Sequence, residues 1–199
     1  MKVIELILDE QQILNGVQAI SIVEKPAIES DFITLSKQDE EIKLATISEE
    51  KRILLGAALI PDKLIPRKDE GGEDVYYIHF SKDTVRKASE LFLKLGRQGK
   101  STLEHKVNLE GLTVVETWIK EDDTHDKSKL YNLEAPLGTW FVAMKVENEQ
   151  VWDEFVKTGK VKGFSIEGMF SKKEDEPELT EAEQMVKRLR EIIQKSNSN

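Results

Sequence analysis

Between Ile53 and Ile60 the chain reads Ile-Leu-Leu-Gly-Ala-Ala-Leu-Ile, without a polar side chain. A short apolar run with no alternation suits a strand covered on both faces, so it needs further apolar chain to cover it. With 199 residues, 39% of them hydrophobic, there is material for one such core but not clearly for two. One domain with appendages is expected. No apolar run approaches the roughly 20 residues that span a bilayer. The segment Met1 to Asp9 carries Glu5 inside its apolar stretch and lacks a small-residue cleavage site, so it does not read as a signal peptide. A soluble, intracellular chain with no membrane partner is the expectation.

Charge and cysteine content narrow the chemistry. Thirty-eight acidic residues against 29 basic ones leave a net charge of −9, which argues against a diffuse basic surface for nucleic acid. With no cysteine, disulfide scaffolds, thiolate metal sites and cysteine nucleophiles are excluded. Covalent catalysis would fall to Ser, Thr, Lys or a carboxylate. The three histidines, His79, His105 and His125, are not paired at metal-ligand spacing.

Strands are predicted at Val3 to Leu8 and Gly16 to Val23, then an acidic linker or loosely packed helix over Ser36 to Arg52. From Ile53 the compact core would begin. A hairpin tip around Gly71-Gly72 precedes a strand at Val75 to Phe80, and Ser81 or Asp83 caps a helix that Gly96 stops. Thr102 to Asn108 and Leu112 to Lys120 read as two strands joined at Glu110-Gly111, with Leu103, His105 and Val107 on one side. Glu121 to Pro136 is a long polar loop of the kind that is functional or mobile. A strand over Thr139 to Val146, a short helix capped by Asn148 and a last strand over Val161 to Phe170 follow. That strand puts Gly163, Ser165, Glu167 and Met169 on one face and Phe164, Ile166 and Phe170 on the other. After an acidic spacer, Thr180 and Glu183 form a capping box for an amphipathic helix that either packs on the core or docks onto a partner or a second copy. The expected divisions are 1–35 for N-terminal strands, 36–52 for the linker, 53–170 for the core and 171–199 for the spacer and helix.

A serine nucleophile needs a base, and the base usually needs a third group to orient it. His79 lies among Tyr76, Tyr77 and Phe80 and reads as a half-buried structural histidine, while His125 reads as a solvated loop residue. His105 follows Leu103 on an expected inward face and is either a core histidine or a base. Ser165 lies in Gly163-Phe164-Ser165-Ile166-Glu167-Gly168, which is not the Gly-x-Ser-x-Gly elbow. Its flanking glycines either give a substrate room to approach or merely mark a bulge.

Four segments together resemble the tailed-phage prohead maturation proteases, particularly the XkdF-type serine proteases. They are Ile20-Ser21-Ile22-Val23-Glu24-Lys25-Pro26-Ala27-Ile28-Glu29, Leu103-Glu104-His105-Lys106-Val107-Asn108, Thr113-Val114-Val115-Glu116-Thr117-Trp118, and the helix Val151 to Lys157 followed by Gly159 to Gly168. The order of elements agrees over roughly Ile53 to Phe170.

The resemblance implies an α+β fold similar to the herpesvirus assembly proteases, a small antiparallel β-barrel surrounded by helices. It implies Ser165 as nucleophile and His105 as general base. The viral relatives complete their triad with a histidine after the serine, and none follows Ser165 here. The third member would then be a carboxylate or be absent. Glu116 is the first candidate, with Asp122, Asp123 and Glu167 as alternatives. The implied activity is endoproteolysis of scaffold and major capsid proteins inside an immature phage head in the host cytoplasm, without metal or organic cofactor. Self-processing and self-association are further expectations. The competing reading is an inactive capsid assembly protein of the same fold.

Overall fold

In the computed structural model, residues 2–8, 15–27, 33–35, 51–68 and 75–173 are described. The acidic stretch through Glu50, the Gly71-Gly72 tip and the C-terminal helix after Thr180 lie outside them. Val, Ile and aromatic residues dominate the strands, which form three four-stranded sheets. The first orders β12 (Ser171–Lys172), β1 (Val3–Ile7), β6 (Val75–Phe80) and β5 (Ile65–Lys68). The second orders β3 (Ile33–Leu35), β4 (Ile53–Leu59), β10 (Trp140–Val146) and β9 (Leu112–Ile119). The third, which carries Ser165, orders β11 (Gly163–Met169), β2 (Gly16–Val23), β7 (Ser101–Leu103) and β8 (Val107–Leu109).

Mostly sheet with two short helices, the fold is α+β, but the described strands do not close into a barrel and are not all antiparallel. β1 pairs with β6, and β2 with β7, in parallel. At Gly111 the expected β8 to β9 hairpin is replaced by a switch between sheets. Gly111 has φ +74 and its carbonyl accepts from the amides of Glu147 and Asn148. That carbonyl is spent on the start of a helix, and β9 pairs instead with β10.

The Ile53 run is β4, fully buried from Leu54 to Leu59 and flanked by β3 and β10. Helix α1 (Lys82–Lys94) begins where the Ser81 hydroxyl accepts from the Thr84 amide at 3.4 Å. Its Val85, Ala88 and Phe92 are buried, and the Phe92 ring meets Trp140 edge to face with centroids 5.5 Å apart. Side chains of this size each contribute about 1.5–3 kcal/mol when fully buried. Helix α2 (Glu149–Val151) is capped by Asn148, whose Oδ1 accepts from the Val151 amide at 3.0 Å, and runs on into a π-helical turn, Trp152–Val156.

The compact body does not begin at Ile53. Val17, Ile20 and Ile22 on β2 are fully buried in the same hydrophobic cluster as β4 and β10. Thus β2 is a central strand of the sheet that carries Ser165, not an extension to it.

Candidate active site

Ser165 sits on β11, where Phe164 and Ile166 turn toward the core. The antiparallel register sets Ser165 opposite Ser21, Phe164 opposite Ile22 and Ile166 opposite Ile20. Directly paired residues share a face of a sheet, so Ser165 and Ser21 project together, away from the isoleucines. The parallel pairing of β2 with β7 continues the row, with Thr102 beside Ser21. Three hydroxyls thus lie in line across β11, β2 and β7. Glu167, two residues beyond Ser165, joins the same face, where the Thr102 hydroxyl donates to its Oε1.

His105 reaches this face from a position that alternation did not predict. Thr102 to Asn108 is not one strand: Leu103 pairs with Val107, and Glu104, His105 and Lys106 form the tip of a tight hairpin. The Lys106 amide donates to the Leu103 carbonyl at 3.0 Å. Glu104 and His105 have φ of +50 and +56, an unfavourable region for side chains with a Cβ. Such conformations persist only where surrounding bonds hold them. Here the Ser21 hydroxyl accepts from the His105 amide at 3.1 Å, and the Glu104 carboxylate accepts from the Glu24 amide at 2.6 Å. The hairpin is thereby tied to β2, and His105 Nδ1 comes to rest 3.1 Å from Glu167 Oε1.

Ser165 is 8% exposed, and among the described residues its hydroxyl has no hydrogen-bond partner, His105 included. Beside it, a cavity of about 270 Å³ runs along β11 at Ser165, Ile166 and Gly168. Its walls mix apolar residues, Leu59, Ile65 and Phe80 among them, with the cationic Arg67 and Lys172. Gly168 is required for this geometry. A Cβ there would collide with the Gly16 carbonyl, so glycine lets β11 and β2 close up at the bulge between Glu167 and Gly168.

The other carboxylates weighed for the third position are engaged elsewhere. Glu116 lies on β9 in the second sheet and pairs with Lys127, so the expected contact with His105 is not made. Asp122 accepts from the His125 amide at 2.7 Å and from the Thr124 amide, bonds that hold its carboxyl below the usual range. Asp123 pairs with the buried Lys120 at 2.7 Å. His79 Nδ1 lies 3.7 Å from Asp62, and His125 Nδ1 lies 3.7 Å from Asp122. Of the acids considered, Glu167 is the one brought to His105. Sequence reasoning did not single out Ser21 or Thr102; the available signal was a lone hydroxyl between two isoleucines in Ile20-Ser21-Ile22.

Among the described residues no group of three or more His, Asp or Glu side chains is arranged to hold a metal, and no helix is long and apolar enough to cross a membrane. The arrangement joins a shielded serine, a histidine and a carboxylate on one sheet face, with the serine also lining a cavity. No curated protein and no solved structure matches the chain. A family model described as "Putative phage serine protease XkdF" matches residues 36–174, a stretch that contains His105, Ser165 and Glu167, and the chain belongs to that phage serine protease family.

Proposed function

We propose that the chain is a prohead endopeptidase that cleaves scaffold and major capsid proteins during phage head assembly, with Ser165 as nucleophile, His105 as general base and Glu167 as the acid that orients it. The observation that carries this reading is the 3.1 Å approach of His105 Nδ1 to Glu167 Oε1 on the face that bears Ser165. With Nδ1 turned to the carboxylate, Nε2 is the nitrogen left to accept a proton. Ser165 Oγ attacks the scissile carbonyl as His105 takes its proton, and backbone N–H groups stabilise the oxyanion. His105 then protonates the leaving amine, and water hydrolyses the acyl-enzyme. Catalytic hydrogen bonds often form only when substrate is bound, which accommodates a Ser165 hydroxyl without a partner among the described residues.

Substrate geometry fits the same reading. Among the described residues β11 lies at the end of its sheet, so an extended peptide laid along it would bring a carbonyl to Ser165 and side chains into the cavity. The prohead proteases that the chain resembles often cut after a glutamate with Leu or Ile two positions earlier, and a cavity lined by aliphatic residues together with Arg67 and Lys172 is compatible with such a sequence. Within this chain, Ile22-Val23-Glu24 has that composition, but Ile22 is fully buried in β2 and beyond reach in the folded protein. Self-processing would therefore fall at Ile47-Ser48-Glu49 or Leu179-Thr180-Glu181, both outside the described residues.

A second reading, a non-enzymatic assembly protein, draws on the absence of a Ser165 to His105 hydrogen bond among the described residues. Co-expression with the scaffold and capsid proteins of the same phage separates the two. Wild-type protein should process them, and Ser165→Ala and His105→Ala should not, each remaining folded. Processing that continues with Ser165→Ala would remove Ser165 as the nucleophile, and none with the wild type would favour the assembly protein.

A further inference from the structure

We infer that Ser21 and Thr102 are positioning residues for the hydrolytic site, Ser21 fixing the backbone of the base and Thr102 fixing the acid. The inference rests on the catalytic assignment above and adds two residues to it. Ser21 lies on β2, outside the stretch that the family model matches.

The argument begins with two hydroxyls, one fully buried and one 6% exposed. A hydroxyl in such a place is costly unless its bonds are made. The Ser21 hydroxyl donates to the Thr102 carbonyl at 3.2 Å and accepts from the His105 amide at 3.1 Å. Both bonds go to the β7 to β8 hairpin, one at its stem and one at its tip. The second restrains a residue whose φ of +56 is otherwise unfavourable. The Thr102 hydroxyl donates to the Glu167 oxygen that also faces His105 Nδ1. A carboxylate oxygen has lone pairs for two donors, so the Thr102 bond leaves room for the His105 ring nitrogen 3.1 Å from the same oxygen.

The result is a closed circuit: Ser21 holds His105, His105 meets Glu167, Glu167 is held by Thr102, and Thr102 is held by Ser21. Every link crosses between strands. Neither hydroxyl lines the cavity, whereas Ser165 does. Their effect would be to hold the base where Nε2 can reach Ser165, and a displacement of about 1 Å in such an arrangement can cost on the order of 100-fold in rate.

The test uses the full chain and diisopropyl fluorophosphate, which requires no knowledge of the natural substrate. In that reaction the Ser165 oxygen forms a bond to phosphorus as the P–F bond breaks, fluoride leaves, and His105 receives the hydroxyl proton. Labelling of Ser165 is followed by mass spectrometry, and the His105 Nδ1–H resonance by proton NMR. Ser21→Ala and Thr102→Val should slow labelling roughly 10- to 100-fold. Thr102→Val should also lose the downfield Nδ1–H resonance. Thr102→Ser, which keeps the hydroxyl, should restore the resonance and a rate near that of the wild type.

Wild-type rates and resonances in both Ser21→Ala and Thr102→Val would overturn the inference while leaving the catalytic assignment in place. Equal slowing by Thr102→Val and Thr102→Ser would also overturn it, since packing would then be the cause. Should Ser21→Ala fail to fold, the two Thr102 variants decide alone. A wild-type protein that is not labelled at Ser165 would overturn the catalytic assignment and this inference with it.

Discussion

His105 and Glu167 meet across the full width of three strands, one from the tip of the β7 to β8 hairpin and the other from β11, with β2 between them. Their contact depends on the sheet register, so it reports on the alignment of the whole third sheet. Replacing Glu167 by Gln keeps the size and removes the charge that would stabilise a histidine receiving a proton. The expected outcome is a loss of roughly 10²- to 10⁴-fold in the rate of scaffold cleavage, with binding retained. Glu116→Gln is the matching control. Its ion pair with Lys127 is at the surface, so the rate should stay unchanged and stability should fall by less than about 1 kcal/mol. Cleavage rates of the two variants, measured side by side, check the assignment of the acid.

Gly168→Ala tests the register directly. An added Cβ would meet the backbone carbonyl of Gly16, an atom that cannot move aside without shifting β2. Overpacking of this kind costs about 1–3 kcal/mol, to be read as a lower urea midpoint. Because the collision lies at the bulge next to Glu167, cleavage should fall even under conditions where the variant remains folded. A midpoint and activity equal to wild type would mean that the bulge has room to relax.

Much of this architecture is legible in the sequence, and the exceptions have physical causes. The apolar run of β4 and the Ser81 and Asn148 caps follow from local patterning, and the structure has them where patterning puts them. The expected alternation of β11 holds only as far as Glu167, because the bulge before Gly168 turns Met169 to the other face. The hairpin tip at His105 is not legible. Leu103, His105 and Val107 alternate as a strand would, and no glycine or Asn-Gly pair announces a turn, because bonds from Ser21 and to Glu24 hold two non-glycine residues at positive φ. Those bonds come from a strand about eighty positions away, so no local window contains them. The acid was equally hidden. Glu116 is near His105 in the chain, whereas Glu167 reaches it only through the pairing of β11 with β2 and of β2 with β7.

The polar stretch from Glu121 to Pro136 is tied down at its root by Lys120. The Lys120 side chain is 2% exposed, and its ammonium donates to the Ala135 carbonyl at 2.6 Å and pairs with Asp123 at 2.7 Å. Lys120→Ala removes both the buried stem and the two contacts, and should lower stability by about 2–4 kcal/mol. Lys120→Met keeps the stem and should cost less. Amide exchange at Leu130 and Tyr131 should accelerate in both variants, since the link from β9 to Ala135 is lost in each. Unchanged exchange would show that the Trp118 to Asp126 bonds, near 3.2 Å, suffice to hold the stretch.

Acid should loosen the first sheet through Glu5. The Lys173 ammonium, 2.7 Å away, is the main cause that holds the Glu5 carboxyl below its ordinary value, with the Ser81 hydroxyl and the charge of His79 adding to the effect. A group whose carboxyl is depressed in the folded state contributes stability that is fully present above the unfolded value, roughly pH 4.3, and is lost as pH falls through the folded one. Glu5 is partly shielded and Lys173 is largely exposed, so solvent screening limits the contribution to about 1 kcal/mol or less. Glu5→Gln should therefore be slightly less stable than wild type at pH 7, and the difference should shrink to nothing as the pH drops below the usual glutamate range. Lys173→Met should show the same convergence, because either change removes the same pair. Since Lys173 follows directly on β12, and β12 pairs with β1, this pair also fastens the end of the described chain beside Lys172 in the cavity wall. A gap between wild type and Glu5→Gln that persists at pH 2 would assign the effect to packing instead of charge.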